Sequence, residues 1–378
     1  MDLPLTGLTV IEVGQALAGP LAGAVLADMG ADVIKVEKPD GGDDARLWGP
    51  PYGPDGVTSL YFHSQNRSKR SITLDLKKPE DVAALHTLCE TADILIQNLR
   101  PGVVDECGIG PATMLAAHPR LIYCSIWAFG FEGPMMMKPG FDPLLQAFGG
   151  MMSVTGHPGS PPTFAGASIN DKACGLFITI GALAALRWRD RTGLGCLVDG
   201  SLFETAAFWV EGQINAHVAT GEIPQRHGTG AAVIVPYQVF DTADRPLCLA
   251  AGNDRLFART AAVMGHPQWA ADPRFATGAQ RVRHKAELIP LISTVFLTRT
   301  RDSWLAALDA VGVPSGPVND IGEVVASPQM AAVNLIRPLP DGGPSVVNLP
   351  LSFNRERPRP SRPAPRLGQH NQEILGRD

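Results

Sequence analysis

Only six cysteines occur in the 378-residue chain: Cys89, Cys107, Cys124, Cys174, Cys196 and Cys248, with no CxxC pair. They build neither a disulfide framework nor a zinc site, and dispersed thiols point to a reducing, cytoplasmic setting. The nine histidines form no pair at metal-ligand spacing, so no metal is expected. A GxSxG elbow is absent, which argues against a serine hydrolase. Excess positive charge is absent too: 32 Lys and Arg stand against 37 Asp and Glu, a net charge of −5. That disfavours nucleic acid or an anionic membrane as the main partner. The start, Met1-Asp-Leu-Pro-Leu-Thr-Gly7, has neither the basic residues nor the apolar run of a signal peptide. No 18-residue apolar stretch is expected to span a membrane. The longest apolar helix pattern, after Asp171, contains Thr179 and Gly181 and ends in Arg187-Trp-Arg-Asp-Arg191, so it reads as a core helix.

What is present is a chain 45 % hydrophobic, long enough for two or three domains. Residues 8–36 read as strand, helix, strand, with Gly30 closing the helix. Ala92-Asp-Ile-Leu-Ile96 and Arg120-Leu-Ile-Tyr-Cys-Ser-Ile126 read as further buried strands, each after a helical pattern. This alternation predicts an α/β fold with a doubly wound parallel sheet. Helix continues over 201–220. A hairpin around Pro236–Phe240 and Pro246–Ala251, then helices near 254–264, 284–298 and 301–312, mark 222–325 as a smaller α+β domain. Residues 326–355 return as strands, and the Pro/Arg-rich stretch 355–366 reads as extended.

Candidate sites follow from this layout. The first βα turn invites a dinucleotide reading, with Glu37 on the ribose. However, Gly14, Gly19 and Gly23 are five and four apart, so the GxGxxG that admits a pyrophosphate is missing. The topology still favours a ligand above the carboxyl ends of the strands, where Asn98 and Arg100 belong. Arg67, Lys69, Arg70, Lys77 and Lys78 form a basic run that could hold phosphate. Phe141 and Asp142 sit in a glycine-punctuated loop. Asp171 stands where the long apolar helix begins. It reads as an N-cap whose carboxylate is held ionised by first-turn amides and the helix dipole, and an ionised, oriented carboxylate can act as a nucleophile.

Several phrases occur together and in order: Leu5-Thr-Gly-Leu-Thr-Val-Ile-Glu-Val13, Gly30-Ala-Asp-Val-Ile-Lys-Val-Glu-Lys-Pro39, Asn66-Arg-Ser-Lys-Arg-Ser-Ile-Thr-Leu-Asp75, Ala92-Asp-Ile-Leu-Ile-Gln-Asn-Leu-Arg-Pro-Gly102, Gly140-Phe-Asp-Pro-Leu-Leu-Gln-Ala147 and Gly312-Val-Pro-Ser-Gly-Pro-Val-Asn-Asp320. This set resembles the class III CoA-transferases, the formyl-CoA transferase and carnitine CoA-transferase group. The resemblance implies a Rossmann-like large domain made from both chain ends (1–221 and 326–378), the small domain 222–325, and an interlocked homodimer. It implies that Asp171 is the nucleophile of an aspartyl anhydride and aspartyl-CoA route. CoA or acyl-CoA is then a substrate, with no permanently bound cofactor. By position it assigns Gln15, Ala16, Leu17, Lys38, Leu74, Lys77, Asn98 and Leu99 to CoA; charge adds Arg70. Phe141, Asp142 and Gly252 fall to the substrate pocket. The small-domain phrase Leu249-Ala-Ala-Gly-Asn-Asp254 has one glycine where formyl-CoA transferases carry a run, which speaks against oxalate specificity.

An α-methylacyl-CoA racemase of the same fold is the alternative. It needs an acid/base pair across Cα, and racemases place His where this chain has Phe141, which cannot carry a proton. A non-catalytic acyl-CoA-binding protein is the third reading, and the retained Asp171 speaks against it.

Overall fold

The structure, a computed structural model, describes residues 3–377. It divides into two units. The larger takes the chain up to Met151, Phe164–Gly221 and everything from Gln329; the smaller takes Met152–Thr163 and Glu222–Pro328. The segment Met152–Thr163, read from sequence as part of the large domain, is held in the smaller unit by its hydrogen bonds. Gly228 N donates to Gly156 O, and Arg226 donates to Met152 O and Ser160 O.

The larger unit is built on a six-stranded sheet: β1 (Thr9–Val13), β2 (Asp32–Glu37), β3 (Arg70–Thr73), β4 (Ile94–Gln97), β5 (Ile122–Trp127) and β6 (Leu197–Ser201). All neighbours are parallel and the order is β3-β2-β1-β4-β5-β6. That is the dinucleotide-fold order, with its switch point between β1 and β4. Two strands were not expected. β3 lies inside the basic run and β6 follows the long helix.

Side-chain alternation sorts the strands between two cores. Ile11, Val13, Ile34 and Val36 face one, under the helix Pro79–Cys89. Val10, Val33, Ile94 and Ile122 face the other, under the helices Ala18–Asp28 and Ile169–Thr192. The long helix satisfies the length and apolarity of a membrane span, with a window of mean hydropathy 1.4, contrary to the sequence expectation. In this fold one face packs along the helix Ala18–Asp28, while Leu176, Phe177, Ile180 and Trp188 stay exposed.

Period two also turns Glu12 and Lys35 inward, side by side in register, on the same face as Val10 and Val33. Both are fully buried. Room for the Glu12 carboxylate comes from Gly23 on the helix above: a Cβ there would stand 1.9 Å from Glu12 Oε2 and 3.3 Å from Lys69 Cε.

The Pro/Arg-rich stretch is a strap across the larger unit. Ser68 N donates to Arg362 O, Arg46 Nη1 to Pro365 O, and His370 N to Ser71 O. Of the strands expected over 326–355, only Ile336–Pro338 and Ser345–Val347 form, as an antiparallel pair; Pro328–Val333 is helical. The smaller unit pairs β7 (Tyr237–Phe240), β8 (Leu247–Ala250) and β9 (Ser315–Pro317) antiparallel. Its core holds Phe257, Leu288, Phe296 and Trp304 from the helices Asp254–Val263, Lys285–Phe296 and Arg301–Asp309.

Because the charge beneath Gly23 cannot move without losing its partners, Gly23→Ala is expected to cost about 3 kcal/mol or more, as overpacking combined with a disturbed buried ion pair. Urea unfolding of the variant checks this; a loss under about 1 kcal/mol, the ordinary scale of a point mutation, would contradict the packing argument.

Candidate active site

The switch point is closed by side chains rather than by glycine. Asn98, just past β4, accepts from Gln15 N at 2.8 Å and donates to Gln15 O at 2.8 Å. Ala16 N donates to Asp43 Oδ1 at 3.0 Å. Ala16 itself is left-handed, φ 63°. Leu17 and Ala18 then open the helix Ala18–Asp28.

Above this turn lies a cavity of 390 Å³, built wholly from the larger unit. Its lining includes Gln15, Ala16, Leu17, Asn98, Leu99, Phe141 and Asp171. The sequence reading missed Asp43, Trp48, Trp127 and Lys138, which line it too. Trp127 ends β5 and was findable by the rule that picked Asn98, since loop ligands sit at carboxyl ends. Lys138 carried no such signal. A second cavity of 180 Å³ shares Gln15 and Leu99 with the first and adds Lys38, Leu74 and Lys77. The two therefore adjoin, and between them they take in all eight positions assigned to CoA by the resemblance.

Arg70 does not join them. It opens β3 at the amino end, ion-paired to Asp32 and to Glu373 (2.8 Å), and lines a different cavity. The basic run is largely spoken for. Arg67 pairs with Asp28 at 2.6 Å and Lys69 with Glu12 at 2.6 Å, both buried. Of the rest, Lys77 and Lys78 are exposed. Glu37, the residue a ribose would need, is also occupied: it accepts from Arg46 Nε and Nη2 at 2.8 and 2.7 Å and from Ser71 Oγ at 2.6 Å. Burial works against its charge, but Arg46, the Lys35 ammonium and Ser71 together hold its carboxyl below the usual range.

Asp171 is not the N-cap that the sequence suggested. The helix begins at Ile169 after Ser168, whose side chain makes no capping bond. The cap comes from elsewhere in the chain. Asp142 Oδ2 accepts from Asn170 N at 2.7 Å and Asp171 N at 3.1 Å, and Gln146 Nε2 holds Oδ1 at 2.5 Å. Asp142 is 2 % exposed and absent from the cavity lining, so it is a structural cap and not a substrate contact. Phe141 beside it is 63 % exposed and does line the cavity.

With its helix already capped, the Asp171 carboxylate is left without a hydrogen-bond donor among the described residues. Burial, reinforced by the Asp142 charge, pushes its pKa up to about 7. The expectation that the helix dipole keeps it firmly ionised is thereby reversed. A carboxylate that is more basic and poorly solvated is also a better nucleophile.

Gly252 belongs to the smaller unit, after β8. A Cβ there would stand 2.7 Å from Ile234 Cγ2, so close packing accounts for the glycine. Among the described residues no group of three or more His, Cys, Asp or Glu could hold a metal.

Residues 5–371 match the family described as CoA-transferase family III. The chain is 40 % identical to a succinate–glutarate CoA-transferase of Agrobacterium fabrum, over 98 % of this chain and 95 % of that protein. It is 38 % identical to a succinyl-CoA–D-citramalate CoA-transferase of Chloroflexus aurantiacus, over 98 % and 93 %. A solved CAIB/BAIF family protein from Brucella suis superposes with a TM-score of 0.88 at 36 % identity, covering 100 % of this chain and 99 % of that one. The chain belongs to CoA-transferase family III, and its activity is the transfer of CoA from an acyl-CoA thioester to a carboxylic acid.

Proposed function

We propose that CoA passes through Asp171. The carboxylate attacks the thioester carbonyl of the donor and expels CoA thiolate, leaving a mixed anhydride. The thiolate attacks the aspartyl carbonyl and releases the donor acid, giving an aspartyl-CoA thioester. The acceptor carboxylate attacks that carbonyl and expels the thiolate again. The thiolate takes the acceptor's acyl group from the new anhydride and frees Asp171. A thiolate leaves readily enough for a carboxylate to displace it. The observation that carries this reading is the unpaired Asp171 carboxylate at the head of its helix, inside the 390 Å³ cavity. Phe141, which lines the same cavity, offers no second base, so racemisation lacks half its machinery.

The nucleotide end of CoA occupies the 180 Å³ cavity, with Lys38 and Lys77 on its phosphates. Arg70 has no part. Arg100 and Lys138, exposed and without an ion pair among the described residues, line the Asp171 cavity. They suit a small dicarboxylic acid, the class named in the succinate–glutarate and citramalate relatives. The working unit is a homodimer, interlocked as in the family. Its support here is the apolar surface left open on the Ile169–Thr192 helix, continued through the Phe177–Phe208 ring contact to Trp209, Ile214 and Val218, the kind of exposed apolar surface that marks an interaction site.

Asp171→Asn should fold and lose transferase activity by about 10⁴-fold or more, since an amide is a poor nucleophile. Hydroxylamine trapping during turnover should mark Asp171 in the native enzyme; full activity in the variant would sink the route. The pH behaviour supplies a second check. The folded-state pKa of Asp171 is raised from 3.8 to about 7. The nucleophile is therefore lost as pH falls through 7, and kcat/KM should drop about tenfold per unit below pH 6. For stability the sign is opposite. The fold favours the protonated form, so ionised Asp171 destabilises it increasingly as pH rises from about 4 to 7. Asp171→Asn should therefore gain stability over the native chain, by about 2.6 kcal/mol more at pH 8 than at pH 5.

Lys77→Ala should weaken CoA binding about 10- to 100-fold by losing a charge-assisted contact. Arg70→Ala should leave CoA affinity unchanged in calorimetry. The reverse pattern would relocate the nucleotide. In sedimentation at micromolar protein the chain should run as a dimer whose unfolding midpoint rises with concentration; a folded monomer would contradict the assembly.

A further inference from the structure

The turn between β1 and the helix Ala18–Asp28 carries a backbone conformation that its own residue disfavours. Ala16 sits at φ 63°, a region costly for any residue with a Cβ. The surrounding bonds fix it there. Asp43, 1 % exposed, accepts from Ala16 N and Ala45 N on Oδ1, each at 3.0 Å, and its Oδ2 is ion-paired with Lys35 Nζ at 2.9 Å. Lys35 Nζ also donates to Gly14 O at 2.7 Å and Glu12 Oε1 at 3.0 Å. The turn is thus gripped at Gly14 and Ala16 by one buried ion pair, while Asn98 holds Gln15 between them. With the amides of Gln15 and Ala16 committed, those of Leu17 and Ala18 are left without an acceptor among the described residues. They head a helix, and both residues line the cavity that contains Asp171.

We infer that Asp43 is a positioning residue for the transfer reaction. It holds Ala16 in the left-handed conformation, so that the free amides of Leu17 and Ala18 are aimed at the cavity, where the thioester carbonyl oxygen turns anionic. Although it borders the cavity, Asp43 is 1 % exposed and its oxygens are taken by Ala16 N, Ala45 N and the Lys35 ammonium, so it acts through the turn. Donors preset for an oxyanion carry much of the rate in acyl transfer, and losing one costs about 10²- to 10³-fold in kcat. This inference rests on the assignment of the cavity as the thioester site.

The test measures kcat per folded site and calorimetric CoA affinity for Asp43→Ala and Asp43→Asn, with Ala16 and with Ala16→Gly. Asp43→Ala should lose kcat about 100-fold while CoA affinity falls less than about 5-fold, because the nucleotide cavity stands on other residues. Asp43→Asn keeps an acceptor for Ala16 N and should recover at least about tenfold of that loss. Glycine enters the left-handed region without strain. Whatever the activity of Ala16→Gly itself, the loss caused by Asp43→Ala should therefore be about tenfold smaller in that background. A fold-stabilising role alone would lower the melting temperature equally in both backgrounds and leave kcat per folded site alone. That result, or equal kcat losses in both backgrounds, overturns the inference. If Asp43→Ala does not fold, amide exchange of the native enzyme decides: Ala16 N must be protected and Leu17 N must exchange faster. Hydroxylamine trapping at Asp171 keeps the two readings apart. Trapping in the native enzyme with slower trapping in Asp43→Ala supports the positioning role; no trapping in the native enzyme refutes the Asp171 route instead.

Discussion

Two buried ammonium groups under the first turn hold the rest of the site in place. Lys35 Nζ has three acceptors: Glu12 Oε1, Asp43 Oδ2 and Gly14 O, at 3.0, 2.9 and 2.7 Å. Lys69 Nζ has three as well: Glu12 Oε2, Asn66 Oδ1 and Pro20 O, at 2.6, 2.9 and 2.8 Å. Two of the contacts of each ammonium are hydrogen bonds, and the third, to Asp43 Oδ2 for Lys35 and to Glu12 Oε2 for Lys69, is a close ion pair. Satisfaction is what makes burial of charge tolerable, because an ion taken from water into a protein costs several kcal/mol unless it is paired and hydrogen-bonded. The two cations differ. Burial works against the charge on Lys35, but three carboxylates, of Asp43, Glu12 and Glu37, raise its pKa above the lysine range. Lys69 shares one carboxylate with a second cation, and burial brings its pKa down to about 8. The network thus fixes the β1 turn through Gly14 O, the following helix through Pro20 O, and the β2 loop through Asp43.

The two aspartates at the head of the Ile169–Thr192 helix show how one residue type takes two roles by environment. Asp142 spends its carboxylate on the helix amides and Gln146. Asp171, three residues into the helix it would otherwise cap, is left to the cavity and to its neighbour's charge. Had Asp171 been its own cap, its oxygens would be bonded to amides and less basic. Delegating the cap to Asp142 frees the nucleophile and, by placing a second carboxylate close by, makes it more basic.

Much of this was legible in the sequence, and the failures have physical causes. The strand–helix alternation gave the parallel sheet because apolar periodicity is local. The carboxyl-end rule placed Asn98 and Arg100 at the right pole. Charge, by contrast, was misread wherever pairing is non-local. Arg67, Lys69 and Arg70 look like a phosphate patch until Asp28, Glu12 and Asp32, roughly forty or more residues earlier, arrive beside them. β3 was hidden for the same reason: a strand entered through Arg67, Lys69 and Arg70 does not read as apolar. The capping role of Asp142 depends on a contact across 28 residues, beyond any capping motif. Gly23 was weighed as part of a phosphate loop, whereas its lack of a Cβ serves the Glu12 carboxylate.

The chain's last residues complete what its first residues begin. Arg46 binds Glu37 through two nitrogens, and its remaining terminal nitrogen, Nη1, donates to Pro365 O, 319 positions away. Ser71 N, on the strand beside Glu37, donates to His370 Nδ1, and Asn371 Oδ1 accepts from Thr73 N. β3 is an edge strand of the sheet, and its outer amides would otherwise be open to pairing with another chain. The strap removes that edge and satisfies the buried guanidinium in one course. The loop carrying Asp43, and with it the conformation of Ala16, is therefore backed on its outer side by residues 362–371. Contacts of such sequence separation close late, since loop entropy must be overcome first. The parallel sheet can form from local βα units, but its β3 edge and the Arg46 guanidinium gain their last partners only when the C-terminal segment docks.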